Sequence, residues 1–103
     1  MTHRDVFVVS TARTAIGTFG GSLKDVPNTQ LATTAVKAAI QRAGIAPDAV
    51  GHVVMGNVIP TDTKDAYLAR VAAIDAGCPI ETPAFNVNRL CGSGLQAIVS
   101  ASQ

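Results

Sequence analysis

Phe85-Asn-Val-Asn-Arg-Leu-Cys-Gly-Ser-Gly-Leu-Gln96 reads as a strand, a tight turn and a helix start, with one thiol at the corner. Ala84 to Val87 is a short extended run leading in. Gly92, Ser93 and Gly94 follow Cys91, and helical spacing takes over at Leu95, Ile98 and Val99. A cysteine at a helix N-terminus faces unpaired backbone N–H groups and the positive end of the helix dipole. Both favour thiolate over thiol, and the thiolate is the nucleophile. The small residues behind it let a bulky group approach the backbone. The same placement also suits a buried packing cysteine, and C-G-S-G alone does not separate the two.

Working outward from this turn, the strand before it is expected over Ala84–Asn88. Ahead of that strand, Ala66 to Ala76 carries Ala69, Ala72, Ala73 and Ala76 with Leu68, Val71 and Ile74 at helical spacing. Gly77 and then Pro79 end that helix. Thr61, Asp62 and Thr63 are its cap candidates, and Cys78 reads as a small packing residue. Val50 to Ile59 (V-G-H-V-V-M-G-N-V-I) is nearly apolar throughout and reads as a second strand. A first helix opens at Pro27-Asn28, with Asn28 as N-cap, and runs through Ala43 to a stop at Gly44. Thr11 to Lys24 is a Gly- and Thr-rich loop that matches neither a P-loop nor a G-x-G-x-x-G turn. Arg13 in that loop suits a ligand or partner contact, or a structural salt bridge. Val6 to Val9 (V-F-V-V) reads as a buried strand.

The resulting order is β-α-β-α-β-α, an α/β class with a parallel sheet and right-handed crossovers. In such sheets ligands bind beyond the carboxyl ends of the strands. Cys91 sits just past the carboxyl end of the third strand, an agreement independent of any motif.

Composition narrows the function. The chain has 103 residues, 48% hydrophobic and 15% charged, with net charge +1. Domains of this size normally carry about 25% charged residues, so part of the surface is expected to be covered by polypeptide or partner beyond these residues. No basic run points to nucleic acid and no apolar stretch approaches the roughly 20 residues of a membrane span. The start has no signal-peptide character, and a reducing cytoplasm is the expected location. Gln96 to Gln103 carries no helix stop signal, so the chain is expected to be interrupted within a helix of a larger protein.

Neither histidine is placed to serve Cys91. His52 lies near the amino end of the second strand, about six residues from its carboxyl end, or roughly 20 Å at 3.3 Å per residue. His3 precedes the first strand and lies at the same wrong end. Asn86 and Asn88 make one face of the third strand polar, which fits either an edge strand or polar contacts at an interface or behind the site. Asn57 could line the same edge.

At this point N-V-N-R-L-C-G-S-G-L-Q-A-I resembles the acyl-accepting cysteine segment of thiolases. V-S-T-A-R-T-A-I-G-T-F-G-G-S-L resembles the amino-terminal strand and loop of that family, and G-N-V-I and A-R-V-A-A-I-D-A-G fall in matching order. The resemblance implies that residues 1–103 are the amino-terminal part of a thiolase N-terminal domain, the start of a mixed, mainly parallel sheet with helices on both faces. It implies acyl transfer between coenzyme A thioesters: Claisen condensation to 3-ketoacyl-CoA, and the reverse thiolysis, through an acyl intermediate on Cys91. The Cys91 N–H would form part of an oxyanion hole. The activating histidine and a second cysteine would come from later sequence, so these residues alone are expected to be inactive. Acyl-CoA would be substrate rather than resident cofactor, no metal would take part in the chemistry, and the whole protein would be a homodimer or homotetramer pairing through the strand before the cysteine. The contrasting expectation is a small non-catalytic α/β interaction module with a structural cysteine.

Overall fold

A computed structural model describes residues 3–103. Helix α1 spans Asn28–Ala43, strand β1 Val53–Gly56, helix α2 Leu68–Asp75, strand β2 Ala84–Val87 and helix α3 Ser93–Ser102. One-turn 3₁₀ segments at Pro47–Ala49 and Thr63–Tyr67 precede β1 and α2. β1 and β2 pair in parallel, Val53 opposite Ala84 through Gly56 opposite Val87. A parallel pair needs a crossover of about a dozen residues or more, and α2 supplies it.

The two faces of the pair follow from the two-residue strand period. Val53, Met55 and Ala84 face α2, where they pack with Ala69, Ala73 and Cys78. Val54 and Gly56 face α3. α1 lies against α2 and contributes Ile40 to the same core. Ala69, Ala72 and Ala73 are fully buried, and their small side chains bring α2 close to the sheet. This is the expected α/β layering, with helices on both faces.

Several boundaries differ from the reading of the sequence. Val6–Val9 is extended but pairs with no strand among the described residues, and its side chains are 63–76% exposed. An apolar run states a preference for burial; a strand exists only where a neighbour accepts its hydrogen bonds. The chain is instead held just beyond, where Ser10 Oγ donates to the Ala39 carbonyl (2.6 Å) and Arg42 donates to that of Thr11 (3.0 Å). The described order is therefore α-β-α-β-α.

The Val50–Ile59 strand contracts to Val53–Gly56, and Ala84–Asn88 to Ala84–Val87, because each extends only as far as its partner. Pro27, not Asn28, is the N-cap of α1. The Asn28 amide is used elsewhere, on Thr61 and Asp65. Helix α2 starts later than Ala66, after the 3₁₀ turn that Asp62 caps in a reciprocal box with Asp65. Helix ends fared better. Gly44 (φ 68°) and Gly77 (φ 98°) take the left-handed conformation that ends α1 and α2, and Cys78 is buried as packing, which pushes its thiol pKa up.

Candidate functional site

Two structured regions meet at the carboxyl edge of the β1–β2 pair. The first is the turn carrying Cys91. After β2 ends at Val87, the ladder is prolonged by the Asn57 N–H to the Val87 carbonyl (3.0 Å). Asn88 then bridges the two chain segments. Its Nδ2 donates to the Val58 carbonyl (3.3 Å) and its Oδ1 accepts from the Leu90 N–H (3.0 Å). That second bond is an Asx turn.

Leu90 has φ 48° and is the one non-glycine residue at positive φ among the described residues. The left-handed region costs an L-residue about 1–2 kcal/mol. Ser93, 4% exposed, closes the turn from the other side. Its Oγ accepts from Arg89 N–H (2.8 Å) and donates to the Leu90 carbonyl (2.7 Å). Both polar groups of Leu90 are thus held by side chains.

Cys91 follows, exposed, immediately before Gly92, the N-cap of α3. Behind the turn β1 comes very close. A Cβ on Gly56 would lie 2.7 Å from the Ser93 carbonyl carbon and 2.8 Å from the Gly94 nitrogen. Only glycine at 56 permits this approach. On the outer side, a Cβ on Gly94 would meet nothing within 4 Å, so the helix start is open to an incoming group.

The second region is centred on Asp65, 1% exposed. Its Oδ2 accepts from Thr61 N–H (2.7 Å), Thr61 Oγ (2.8 Å), Asn28 Nδ2 (3.0 Å) and Asp62 N–H (3.2 Å). The Thr61 backbone N–H, foremost among these donors, helps to hold the carboxyl below the usual carboxylate range against the opposing effect of burial. Asp65 Oδ1 is buried without a partner among the described residues. The Asp65 carbonyl accepts from Asn86 Nδ2 (3.0 Å) and Asn57 Nδ2 (3.5 Å).

Asn86 also accepts from the Ala69 N–H (2.8 Å) and donates to the Ala66 carbonyl (3.1 Å). Its amide therefore ties β2 to the start of α2 inside the chain, rather than facing outward. Of the polar residues noted on that strand, Asn88 and not Asn86 reaches the cysteine turn. Asp65 was missed as a site-edge residue, although D-T-K-D has the spacing of a capping box. The Asn88–Leu90 Asx turn was missed as well, and its signal is the asparagine itself.

His52 lies immediately before β1, with Nε2 3.2 Å from the Ala101 carbonyl and its ring edge-on to Phe85. Ala101 is at the far end of the ten-residue α3, so about 15 Å of helix separates His52 from the Cys91 turn. His3 lies in the exposed amino-terminal stretch. Neither is brought to Cys91. Arg13 is exposed. An open groove of about 490 Å³ runs between β1 and α3, lined by Met55, Gly56, Gly94 and Ile98 among others, and does not include Cys91. Among the described residues no three His, Cys, Asp or Glu side chains are grouped to hold a metal, and no helix is long and apolar enough to cross a membrane.

The parallel strand pair layered by helices, with an exposed cysteine on the strand-to-helix turn at its carboxyl edge, defines the class: an α/β protein with a thiol at its sheet edge. Within that class the chain belongs to the thiolase family. Residues 6–103 match the family model "Thiolase, N-terminal domain". The chain is 62% identical over 100 residues to the beta-ketothiolase BktB of Cupriavidus necator, covering 97% of this chain and 25% of that protein. It is 47% identical, with the same coverage, to human mitochondrial 3-ketoacyl-CoA thiolase. The crystal structure of the human enzyme in complex with CoA superposes with a TM-score of 0.91 at 46% identity, over 94% of this chain and 25% of that one. The chain thus spans about a quarter of the length of the relatives it matches, and those relatives are enzymes named for thiolase and acetyltransferase activity.

Proposed function

We propose that Cys91 is the acyl-accepting nucleophile of a thiolase that transfers acyl groups between coenzyme A thioesters. The observation that carries this is the placement of Cys91: an exposed thiol on a strained turn at the carboxyl edge of a parallel sheet, in a chain of the thiolase family. The relatives are named for 3-ketoacyl-CoA and acetyl-CoA, and two neighbouring structures hold CoA.

In this reading the Cys91 thiolate attacks the thioester carbonyl of an acyl-CoA. An S–C bond forms, the S–C bond to CoA breaks, and CoA leaves as a thiol after taking a proton. A second acyl-CoA, deprotonated at its α-carbon, then attacks the acyl-Cys91 carbonyl. A C–C bond forms and the Cys91 thiolate is released. Thiolysis runs the same steps backwards, and the covalent intermediate gives ping-pong kinetics. The Cys91 N–H would contribute to the oxyanion site. The proton carriers are not His3 or His52, which lie away from the turn, so residues 1–103 alone would not turn over. Pairing between subunits would use the free edge of β2.

The test is incubation of the full-length protein with acetyl-CoA, followed by peptide mapping. Acetyl is expected on Cys91 and not on Cys78, which is buried with a raised pKa and so serves as the internal control. Acetylation that persists in Cys91→Ser would sink the reading.

A further inference from the structure

The turn before Cys91 contains an unfavourable residue held by two side chains, and the hydrogen bonds of both go to backbone groups rather than to the thiol. Leu90 is left-handed at φ 48°. Nothing in a leucine favours that conformation, so its neighbours must supply the preference. The Asn88 Oδ1 takes the Leu90 N–H, and the Ser93 Oγ takes the Leu90 carbonyl. Asn88 is itself anchored across the sheet edge by its Nδ2 on the Val58 carbonyl. Ser93 is anchored by the Arg89 N–H and by burial against Gly56. The peptide on either side of Leu90 is therefore fixed, and the direction in which Cys91 leaves it is fixed too.

We propose that Asn88 is a positioning residue for acyl transfer: by accepting from the Leu90 N–H it holds Leu90 left-handed and so sets the orientation of Cys91, with Ser93 as the second half of the clamp. This rests on the reading of Cys91 as the acyl-accepting nucleophile. The side chain of Asn88 has two separable jobs, tying β2 to the Val58 segment and holding Leu90. The proposal assigns the effect on chemistry to the second. Asn88→Asp keeps an acceptor for Leu90 N–H and loses the donor to Val58; Asn88→Ala loses both. Leu90→Gly removes the steric cost of positive φ and with it most of the need for the clamp.

The test is a double-mutant cycle on the full-length protein, read by the rate of Cys91 acylation from acetyl-CoA and by steady-state kcat and KM. Asn88→Ala should lower kcat about tenfold, ~1.4 kcal/mol at one decade per 1.36 kcal/mol, with KM changed less than about twofold. Asn88→Asp should recover to within about threefold of wild type. In the Leu90→Gly background the further effect of Asn88→Ala should shrink to about twofold or less, a coupling that a simple stability role would not produce.

A wild-type acylation rate in Asn88→Ala overturns the proposal. So does an equal loss with and without Leu90→Gly, which would place the effect on the Val58 tie. If wild-type Cys91 is not acylated at all, the reading of Cys91 falls and this one with it; if wild type is acylated and the cycle shows no coupling, only this one falls. Should Asn88→Ala not fold, Ser93→Ala read in the same cycle carries the same expectation of coupling to Leu90, and its absence overturns the clamp.

Discussion

Helices α2 and α3 pack on opposite faces of the same two strands and differ sharply in burial. α2 (L-A-R-V-A-A-I-D) carries three alanines among aliphatic residues, whereas α3 (S-G-L-Q-A-I-V-S-A-S) mixes two alanines and three serines with Leu95, Ile98 and Val99. α2 buries Leu68, Ala69, Ala72 and Ala73 between the sheet and α1. α3 buries only Ser93 and Ala97, and leaves Leu95 70%, Ile98 60% and Val99 43% exposed. The α2 side is a closed structural layer whose hydrogen bonds converge on Asp65. The α3 side carries the exposed Cys91 thiol and an uncovered apolar face. Leu95, Ile98 and Val99 lie at helical spacing on α3 with no covering layer among the described residues. The proposed nucleophile is thus carried on the less closely packed half of this unit.

That contrast breaks most readily at the thiol. Cys91→Ser should reduce acyl transfer by about three orders of magnitude or more, while the unfolding free energy stays within about 0.5 kcal/mol because the side chain is exposed. Retained transfer would show that the open side is not the chemical side. Next in size is overpacking on the closed side. Ala73→Leu puts three extra carbons where nothing is exposed, and should cost about 1–3 kcal/mol in denaturant unfolding. A neutral result would mean that α2 is not closely packed.

Acid sharpens the comparison further. The Asp65 carboxyl is held below its ordinary value, with the Thr61 N–H first among the lowering causes. A depressed folded pKa contributes stability that is present above the ordinary aspartate value of about 3.9 and lost as pH falls through the lowered one. Wild type should therefore lose stability relative to Asp65→Asn below about pH 4, and parallel acid-unfolding curves would contradict this. The smallest stability effect is expected on the open side. Leu95→Lys with Ile98→Lys should leave the unfolding of the 103-residue chain within about 0.5 kcal/mol per substitution, yet reduce its concentration-dependent association in sedimentation. An unchanged association state would assign the stickiness elsewhere, with Val6–Val9 the next place to look.

What was legible in the sequence was local. Gly44 and Gly77 announced two helix ends because a left-handed stop needs no distant partner. The alanine spacing marked α2, and Ala84–Val87 and the Cys91 corner emerged nearly as read. Pairing was not legible. Val6–Val9 is as apolar as any strand, but whether it joins a sheet depends on what lies beside it. The ends of β1 were set by the length of β2 rather than by Val50 or Ile59. Buried charge was not legible either: Asp65 drew no reading, yet four donors from Asn28, Thr61 and Asp62 make its burial tolerable once the chain is folded. At the site, Cys91 was visible as a thiol before a helix. The left-handed Leu90 was not, since leucine carries no signal for positive φ, although Asn88 two residues earlier is the residue type that induces it.

Leu90 makes position 90 a place where selection for durability and selection for turnover would pull the same way once the clamp is removed. Screened for folding alone, a library there should drift toward Gly or Asn, which accept positive φ at low cost. Screened for acyl transfer in an Asn88→Ala background, it should drift the same way, because a residue that takes positive φ unaided replaces the clamp that orients Cys91. The one non-glycine residue at positive φ among the described residues is thus the position whose tolerated substitutions would tell whether Asn88 acts through the backbone of the turn.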